Sequence, residues 1–182
     1  MRSRRGHERG FDRNKLARLI ATLILAVVGA LFGHNQLNKN TKNTPLADEI
    51  RGAGRPIDGD SLTVGREEVR LKGIDAPEGR QSCTRDGVPW DCGNASRDEL
   101  RRLIGKDVVV CRAVERDKHG RALGYCSAGG RDLNAGMVSS GLAVAYGGYQ
   151  REQGEAKTRR RGLWAGEFEQ PRDWRHERGI GL

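Results

Sequence analysis

The sequence predicts an α+β domain in which short antiparallel strands form a small barrel and helices follow late in the chain. Residues 61–64 alternate apolar and polar side chains, with Leu62 and Val64 on one face. A second apolar stretch at 69–74 follows a turn that contains Gly65. A period of two is typical of strands, so we expect these two segments to pair.

A second hairpin is predicted in the middle of the chain. Residues 107–113 contain three consecutive valines, and such a β-branched run favours a strand. Residues 122–126 are the expected partner. If the two segments pair, Cys111 and Cys126 face each other across the hairpin, because they flank its turn symmetrically.

The chain has four cysteines, an even count. A bond between Cys111 and Cys126 would leave Cys83 and Cys92 to close a short loop. The alternatives are a four-cysteine zinc site, which no Cys-x-x-Cys pair supports, and free buried thiols. We favour disulfides, which form in exported proteins.

Three helices are predicted. The first starts near Ser96, which has the spacing of a capping box with Glu99, and carries an apolar stripe at 100–104. The second covers residues 133–141 and ends near a glycine. The third covers the polar and basic residues 151–163.

Composition divides the chain into five segments. They are a basic tail (1–18), an apolar segment (19–33), a polar linker (34–49), the main domain (50–176) and a short C-terminal tail (177–182). The basic tail carries +5 of the net charge of +9, the next two segments are neutral together, and the remainder carries +4. A domain at +4 is compatible with a polyanionic ligand without requiring one.

The apolar segment 19–33 contains no charged residue and follows the basic tail directly. As a helix it would span about 22 Å, less than the roughly 30 Å hydrocarbon core of a membrane. It is either the apolar region of a signal peptide, with a weak cleavage site at 28–30, or a short uncleaved anchor whose basic side faces the cytoplasm. Both interpretations place the main domain outside the cytoplasm.

Acidic residues cluster beside turn-forming glycine and proline between positions 58 and 78. Asp60 and Asp75 could hold a divalent cation such as Ca²⁺ or Mg²⁺, since carboxylate oxygens suit hard cations. Glu78 could activate a water as a general base. Asp58 is more readily explained as a turn residue.

Two arginines are candidates for binding a phosphate. Arg70 lies within a predicted strand, where a planar guanidinium can grip a phosphate in two places. Strict alternation puts Arg70 and Asp75 on opposite faces, so they converge only if the strand bends, and Gly73 is the expected place. Arg121 follows a tight turn at 117–120 and could meet Arg70 at the same phosphate.

Six sequence blocks, in order, resemble the staphylococcal nuclease-like (thermonuclease) family. They run from Ile57 to Trp174 and read IDGDSLTV, VRLKGIDAPE, RDKHGRALGY, DLNAGMVSSGLA, AKTRRRGLW and PRDW. The resemblance implies a small OB-fold barrel of five antiparallel strands with three helices. It also implies cleavage of DNA and RNA phosphodiesters with one bound Ca²⁺, leaving 3′-phosphorylated products.

The resemblance assigns roles to the acidic cluster. Asp60 and Asp75 match the calcium-binding aspartates of the family. Ala76 matches a residue that offers its backbone carbonyl to the metal, so a side-chain hydroxyl is not needed there. Glu78 matches the family's proposed general base, and Arg70 matches one of two phosphate-binding arginines.

The remaining matches concern the substrate. Arg121 matches the second phosphate-binding arginine. Lys118 and His119 lie near the expected nucleotide, with His119 in place of a common tyrosine, either stacking on a base or serving only in the turn. Tyr146 and Tyr149 lie near the family's pocket tyrosines, but two glycines between them shift their register, so base stacking and a structural role are both open.

Two classes of function follow. The first is an exported, calcium-dependent nuclease, a monomer that is attached to the membrane if its apolar segment is not cleaved. The second is a catalytically weak or silent module of the cell envelope that binds nucleic acid or protein. We favour the enzyme because the acids and both arginines of the family pattern are present. A structural appendage has no positive support.

Overall fold

The computed structural model describes residues 46–180. The predicted basic tail (1–18), the apolar segment (19–33) and all but the end of the linker (34–49) lie outside the described residues. Within 46–180, no helix is long and apolar enough to cross a membrane.

The described residues form ten strands and four α-helices. The strands are β1 (Glu49–Pro56), β2 (Ser61–Val64), β3 (Glu67–Leu71), β4 (Ile74–Asp75), β5 (Cys83–Arg85), β6 (Val88–Trp90), β7 (Val108–Arg116), β8 (Ala122–Ala128), β9 (Arg131–Asp132) and β10 (Val144–Ala145). The helices are α1 (Cys92–Ile104), α2 (Leu133–Ser139), α3 (Gln150–Thr158) and α4 (Pro171–Glu177), with a 3₁₀ turn at Gly162–Ala165.

Five strands close into a barrel in the order β3-β2-β1-β7-β8, with β8 returning to β3. This confirms the predicted α+β class and five-stranded OB-fold barrel. The expectation that every pair is antiparallel is wrong, because β3 and β8 run parallel, with Arg70 opposite Leu123. An odd number of strands in a closed ring cannot alternate direction throughout, so at least one pair must be parallel.

Two predicted elements have different boundaries. The predicted strand 69–74 breaks after Leu71, and its end forms the separate strand β4, which pairs with β10. The first helix begins at Cys92 rather than near Ser96. Its cap is Asp91, whose carboxylate accepts the backbone N–H of Asn94 at 3.1 Å. The predicted capping box is therefore wrong.

The prediction of three helices is also wrong, since the described residues contain four. Helix α3 ends at Thr158, and the last residues of the predicted third helix enter the 3₁₀ turn. Helix α4 begins with Pro171 at its first turn and buries Trp174. It has only seven residues, too few to show a clear apolar period in the sequence.

The barrel interior and one face of two helices form the core. Side chains that alternate along the strands point inward, and helices α1 and α2 cover the barrel. The fully buried members include Leu62, Val64, Val69, Leu71 and Val109 from the strands and Leu100, Leu133, Met137 and Val138 from the helices. Burying an aliphatic side chain stabilises a fold by about 1.5–3 kcal/mol, so this core contributes much of the stability of the barrel.

Two disulfides join the four cysteines in the pairing that the sequence favours. Cys111 lies directly opposite Cys126 in the β7–β8 hairpin, and the two are bonded. Cys83 is bonded to Cys92 and so ties β5 to the first residue of α1. The described residues include no free cysteine.

Removal of the hairpin disulfide should destabilise the protein. For the 15-residue separation of Cys111 and Cys126, the loss of chain constraint predicts about 3 kcal/mol. We expect the double variant C111A/C126A to show that decrease in the free energy of unfolding, measured by urea titration. A decrease of less than about 1 kcal/mol would show that the rest of the barrel fixes this hairpin.

Candidate active site

A tight turn between β1 and β2 presents Asp60. The Asp58 carboxylate accepts the backbone N–H groups of Asp60 and Ser61 at 2.9 and 2.7 Å, so Asp58 shapes the turn. Gly59 lies against α1, where an added Cβ would lie 1.8 Å from the hydroxyl of Ser96. Only glycine fits there, and its fit sets the position of Asp60.

Asp60 is 2% exposed and accepts hydrogen bonds from three groups. Its Oδ2 accepts from Arg70 Nη2 at 2.8 Å and from the backbone N–H of Ala76 at 3.0 Å, and its Oδ1 accepts from the Ser61 hydroxyl at 3.0 Å. These bonds join β2, β3 and the segment after β4 at one carboxylate.

The bend that the sequence requires between Arg70 and Asp75 is present at Gly73. Gly73 has φ +83°, a conformation that favours glycine. The chain turns there, and Arg70 Nη2 lies 2.8 Å from Asp75 Oδ1. Because the strand bends at Gly73, Arg70 and Asp75 do not point to opposite faces as they would in a regular strand.

Burial dominates the electrostatics of both aspartates. Burial raises the pKa of Asp60 to about 6, although Arg70 opposes the change. Burial also raises the pKa of Asp75 against the hydrogen bond from Arg175. In both carboxyl groups the effect of burial on the pKa thus outweighs the attraction of the neighbouring arginines.

The carboxylate of Glu78 is held by an arginine that was not predicted. Arg175, on helix α4, donates from Nη1 to Glu78 Oε1 at 2.9 Å and from Nη2 to Asp75 Oδ2 at 3.0 Å. Burial alone would lower the pKa of Arg175, but its bonds to these two carboxylates outweigh burial and raise it. Glu78 and Asp75 thus share one guanidinium.

The loop that carries Glu78 is fixed by Gln81, which is fully buried. Its side-chain oxygen accepts the N–H of Glu78 at 3.3 Å, and its side-chain nitrogen donates to the carbonyl of Glu169 at 2.7 Å. Glu169 lies two residues before α4. Gln81 therefore connects the Glu78 loop to the start of the helix that holds Arg175.

Arg121, at the end of the hairpin turn, contacts neither Asp60 nor Asp75 in the described part of the chain. Its Nε donates to Asp117 Oδ2 at 2.7 Å across the hairpin turn. Burial would raise the pKa of Asp117, but its hydrogen bonds from Arg121 outweigh this and lower it. The guanidinium also lies 3.9 Å from a carboxylate oxygen of Glu68.

The cleft has a volume of about 1030 Å³. All the side chains predicted to contact substrate or to carry out the reaction line it, namely Arg70, Glu78, Lys118, His119, Arg121, Tyr146 and Tyr149, and Arg175 joins them. The cleft is thus bounded by basic, acidic and aromatic groups, as a site for a phosphate-linked aromatic ligand requires. The catalytic and binding roles of these residues stay predictions.

The two tyrosines differ in their surroundings. Tyr146 is 62% exposed, and its backbone N–H donates to the carbonyl of Gly73 at 2.8 Å. Tyr149 has φ +61°, rare for a residue with a side chain, and its ring packs against Gly73. Burial raises the pKa of Tyr149 to about 12. Tyr149 therefore supports the bend, whereas the ring of Tyr146 is open to a ligand.

The donor set fits a hard divalent cation in part. Within residues 46–180 no group of three or more His, Cys, Asp or Glu side chains is arranged to hold a metal. Two carboxylates do converge, since Arg70 Nη2 stands 2.8 Å from an oxygen of Asp60 and 2.8 Å from an oxygen of Asp75. One positively charged atom can thus be shared by both, and backbone carbonyl, water or phosphate oxygens would complete a calcium site.

Sequence reasoning missed Arg175 and Gln81. Arg175 directly follows the PRDW block, but nothing in its local pattern distinguishes it from the other arginines near the C-terminus. It lies 100 positions from Asp75. Only the packing of α4 brings it to the acids.

Gly73→Ala should destabilise the protein because a side chain at φ +83° is strained and its Cβ would lie 3.3 Å from the Tyr149 ring. Gly87→Ala is a matched control, since Gly87 also has a positive φ, +75°, with nothing within 4 Å. We expect about 1 kcal/mol for Gly87→Ala and about 2–3 kcal/mol for Gly73→Ala, measured by urea unfolding. Equal losses would show that the Tyr149 contact adds no strain.

Comparison with known proteins identifies the family. Residues 68–166 match the family model described as Staphylococcal nuclease homologue. An uncharacterized endonuclease of Escherichia coli O157:H7 is 34% identical over 146 residues, which cover 73% of this chain and 90% of that protein.

Two further relatives have different names. The succinoglycan biosynthesis protein ExoI of Rhizobium meliloti (strain 1021) is 33% identical over 132 residues, 68% of this chain and 69% of that protein. The staphylococcal-like nuclease CAN1 of Arabidopsis thaliana is 29% identical over 120 residues, 62% of this chain and 34% of that protein. With its barrel and acid–arginine cleft, this chain belongs to the staphylococcal nuclease family and is a nuclease, a hydrolase of nucleic-acid phosphodiester bonds.

Proposed function

We propose that the cleft hydrolyses DNA or RNA with one bound Ca²⁺, held by Asp60 and Asp75 together with the backbone carbonyl of Ala76. The observation that carries the proposal is the convergence of the two buried carboxylates on one cationic atom, Arg70 Nη2, at 2.8 Å each. When bound, the metal would neutralise charge on the phosphate and polarise its oxygens.

The side chains of the chain itself supply the remaining steps. Arg70 and Arg121 bind the phosphate oxygens, and their charge stabilises the additional negative charge of the transition state. Glu78 accepts a proton from the attacking water, whose oxygen forms the new bond to phosphorus as the bond to the 5′ oxygen breaks. The leaving 5′ oxygen then takes a proton from solvent.

This mechanism requires Arg70 to leave the position between the aspartates. The Arg70 side chain lines the cleft and is 18% exposed. Its guanidinium can therefore turn toward a phosphate bound in the cleft. Lys118, His119 and Tyr146 line the same cleft and would contact the nucleotides next to the cleaved bond.

Metal dependence is the first test. We expect the purified protein to cleave single-stranded DNA in Ca²⁺ and to lose activity in chelator. Because a ligand that binds the folded state alone stabilises it, Ca²⁺ should also raise the melting temperature, and Asp75→Asn should reduce that rise. Cleavage that is insensitive to chelator would contradict the metal assignment. Inactivity with every divalent cation would instead favour a silent binding module.

Substitution of the transition-state groups is the second test. Arg70→Ala and Glu78→Gln should each lower kcat by about 10²-fold or more, as is typical of groups that act in the transition state. Arg51→Ala and Glu155→Gln are matched controls, because both residues are exposed and lie outside the cleft. A decrease of less than tenfold for Glu78→Gln would remove Glu78 as the general base.

We also propose that the nuclease acts outside the cytoplasm as a monomer, attached to the membrane if the apolar segment 19–33 is retained. The charge-free segment and the two disulfides support a location outside the cytoplasm. In fractionated cells the protein should appear in membrane or extracytoplasmic fractions, with all four thiols resistant to alkylation. Recovery from the cytoplasm with reactive thiols would refute export.

A further inference from the structure

Arg175 is a charged group in the cleft that the proposed mechanism does not use. It lies on α4, after the matched family region 68–166 ends. Its side chain is only 21% exposed. Removing a guanidinium from water is costly unless carboxylates pair with it, so its position indicates a specific partner.

That partner is the pair Asp75 and Glu78. Nη1 of Arg175 lies 2.9 Å from Asp75 Oδ1 and 2.9 Å from Glu78 Oε1, and Nη2 lies 3.0 Å from Asp75 Oδ2. The guanidinium thus grips Asp75 with two nitrogens and Glu78 with one. A planar fork with fixed nitrogen positions orients the carboxylates that it binds.

Helix α4 has docking contacts other than those of Arg175. Pro171 and Trp174 bury its inner face. Arg178 covers the Trp174 ring at 4.4 Å and lies 3.5 Å from Glu169. Residues other than Arg175 therefore contribute to the docking of this helix.

The charged groups of the site also leave one negative charge without a compensating positive charge. Asp60, Asp75 and Glu78 carry three negative charges, and Arg70 and Arg175 carry two positive charges in contact with them. If a divalent cation displaces Arg70 from Asp75 Oδ1, Arg175 can keep its bonds to Asp75 Oδ2 and Glu78. It would then orient both acids while its charge weakens binding of the cation.

We propose that Arg175 is a positioning residue of the nuclease, which holds Glu78 in place for proton transfer and lowers the affinity of the site for Ca²⁺. This inference rests on the proposed function of Glu78 and of the calcium site. Arg175 thus differs in role from Arg70 and Arg121, which contact the substrate phosphate in the proposed function.

The test compares Arg175→Gln, Arg175→Lys and Arg178→Gln in the whole protein. Arg178 is a matched control because it directly follows the same helix and contacts Glu169 instead of the site. We measure kcat and KM on single-stranded DNA at saturating Ca²⁺, Ca²⁺ affinity by calorimetry, and melting temperature. Affinity is measured without substrate, so it does not depend on turnover.

We expect Arg175→Gln to lower kcat at least tenfold, to change KM less than threefold and to bind Ca²⁺ at least threefold more tightly. Arg175→Lys should regain part of the kcat and keep an affinity close to that of the native protein, because it retains the charge. Arg178→Gln should match the native protein in kcat and Ca²⁺ affinity.

Two results would overturn the proposal. One is a kcat for Arg175→Gln within threefold of that for Arg178→Gln, since Arg175 would then serve docking alone. The other is weaker Ca²⁺ binding in Arg175→Gln, since Arg175 would then only maintain the fold of the site. Failure of the proposed function is recognised separately, because the native protein itself would then show no Ca²⁺-dependent cleavage.

Discussion

The interaction on which the site depends is the bridge from Arg70 to two buried carboxylates. Arg70 Nη2 lies 2.8 Å from both Asp60 and Asp75, so three separate segments of the chain converge on one atom. Buried charges of this kind are tolerated only when they are paired and hydrogen-bonded. The fit of Gly59 against α1 and the bend at Gly73 both serve to bring the two acids into this arrangement.

Closure of the barrel explains why two distant arginines line one cleft. The ring of five strands requires a parallel pair, and that pair is β3 with β8. Arg70 therefore lies beside Leu123, and Arg121 directly precedes β8. The turn that holds Arg121 is fixed by Asp117. The same closure that completes the core thus places both guanidinium groups at the cleft.

The C-terminal part of the domain adds a second layer to the site. Gln81 connects the Glu78 loop to the residues before α4. Arg175, on α4, donates hydrogen bonds to Glu78 and Asp75. The candidate base is therefore held from its own loop and from the opposite end of the chain. In the proposed mechanism a base must be oriented before the reaction, and these contacts fix the orientation of the Glu78 carboxylate.

The sequence by itself indicated the family, the barrel class and the residues of the acidic cluster, because these depend on local pattern and on short spacings such as that from Asp75 to Glu78. It favoured one cysteine pairing among the three possible, and the structure established that pairing. It also showed that Arg70 and Asp75 could meet only through a bend. Tertiary structure alone decided the parallel strand pair, the fourth helix and the place of Arg175. Those features arise from ring closure and from packing between residues up to 100 positions apart, which no local period in a sequence records.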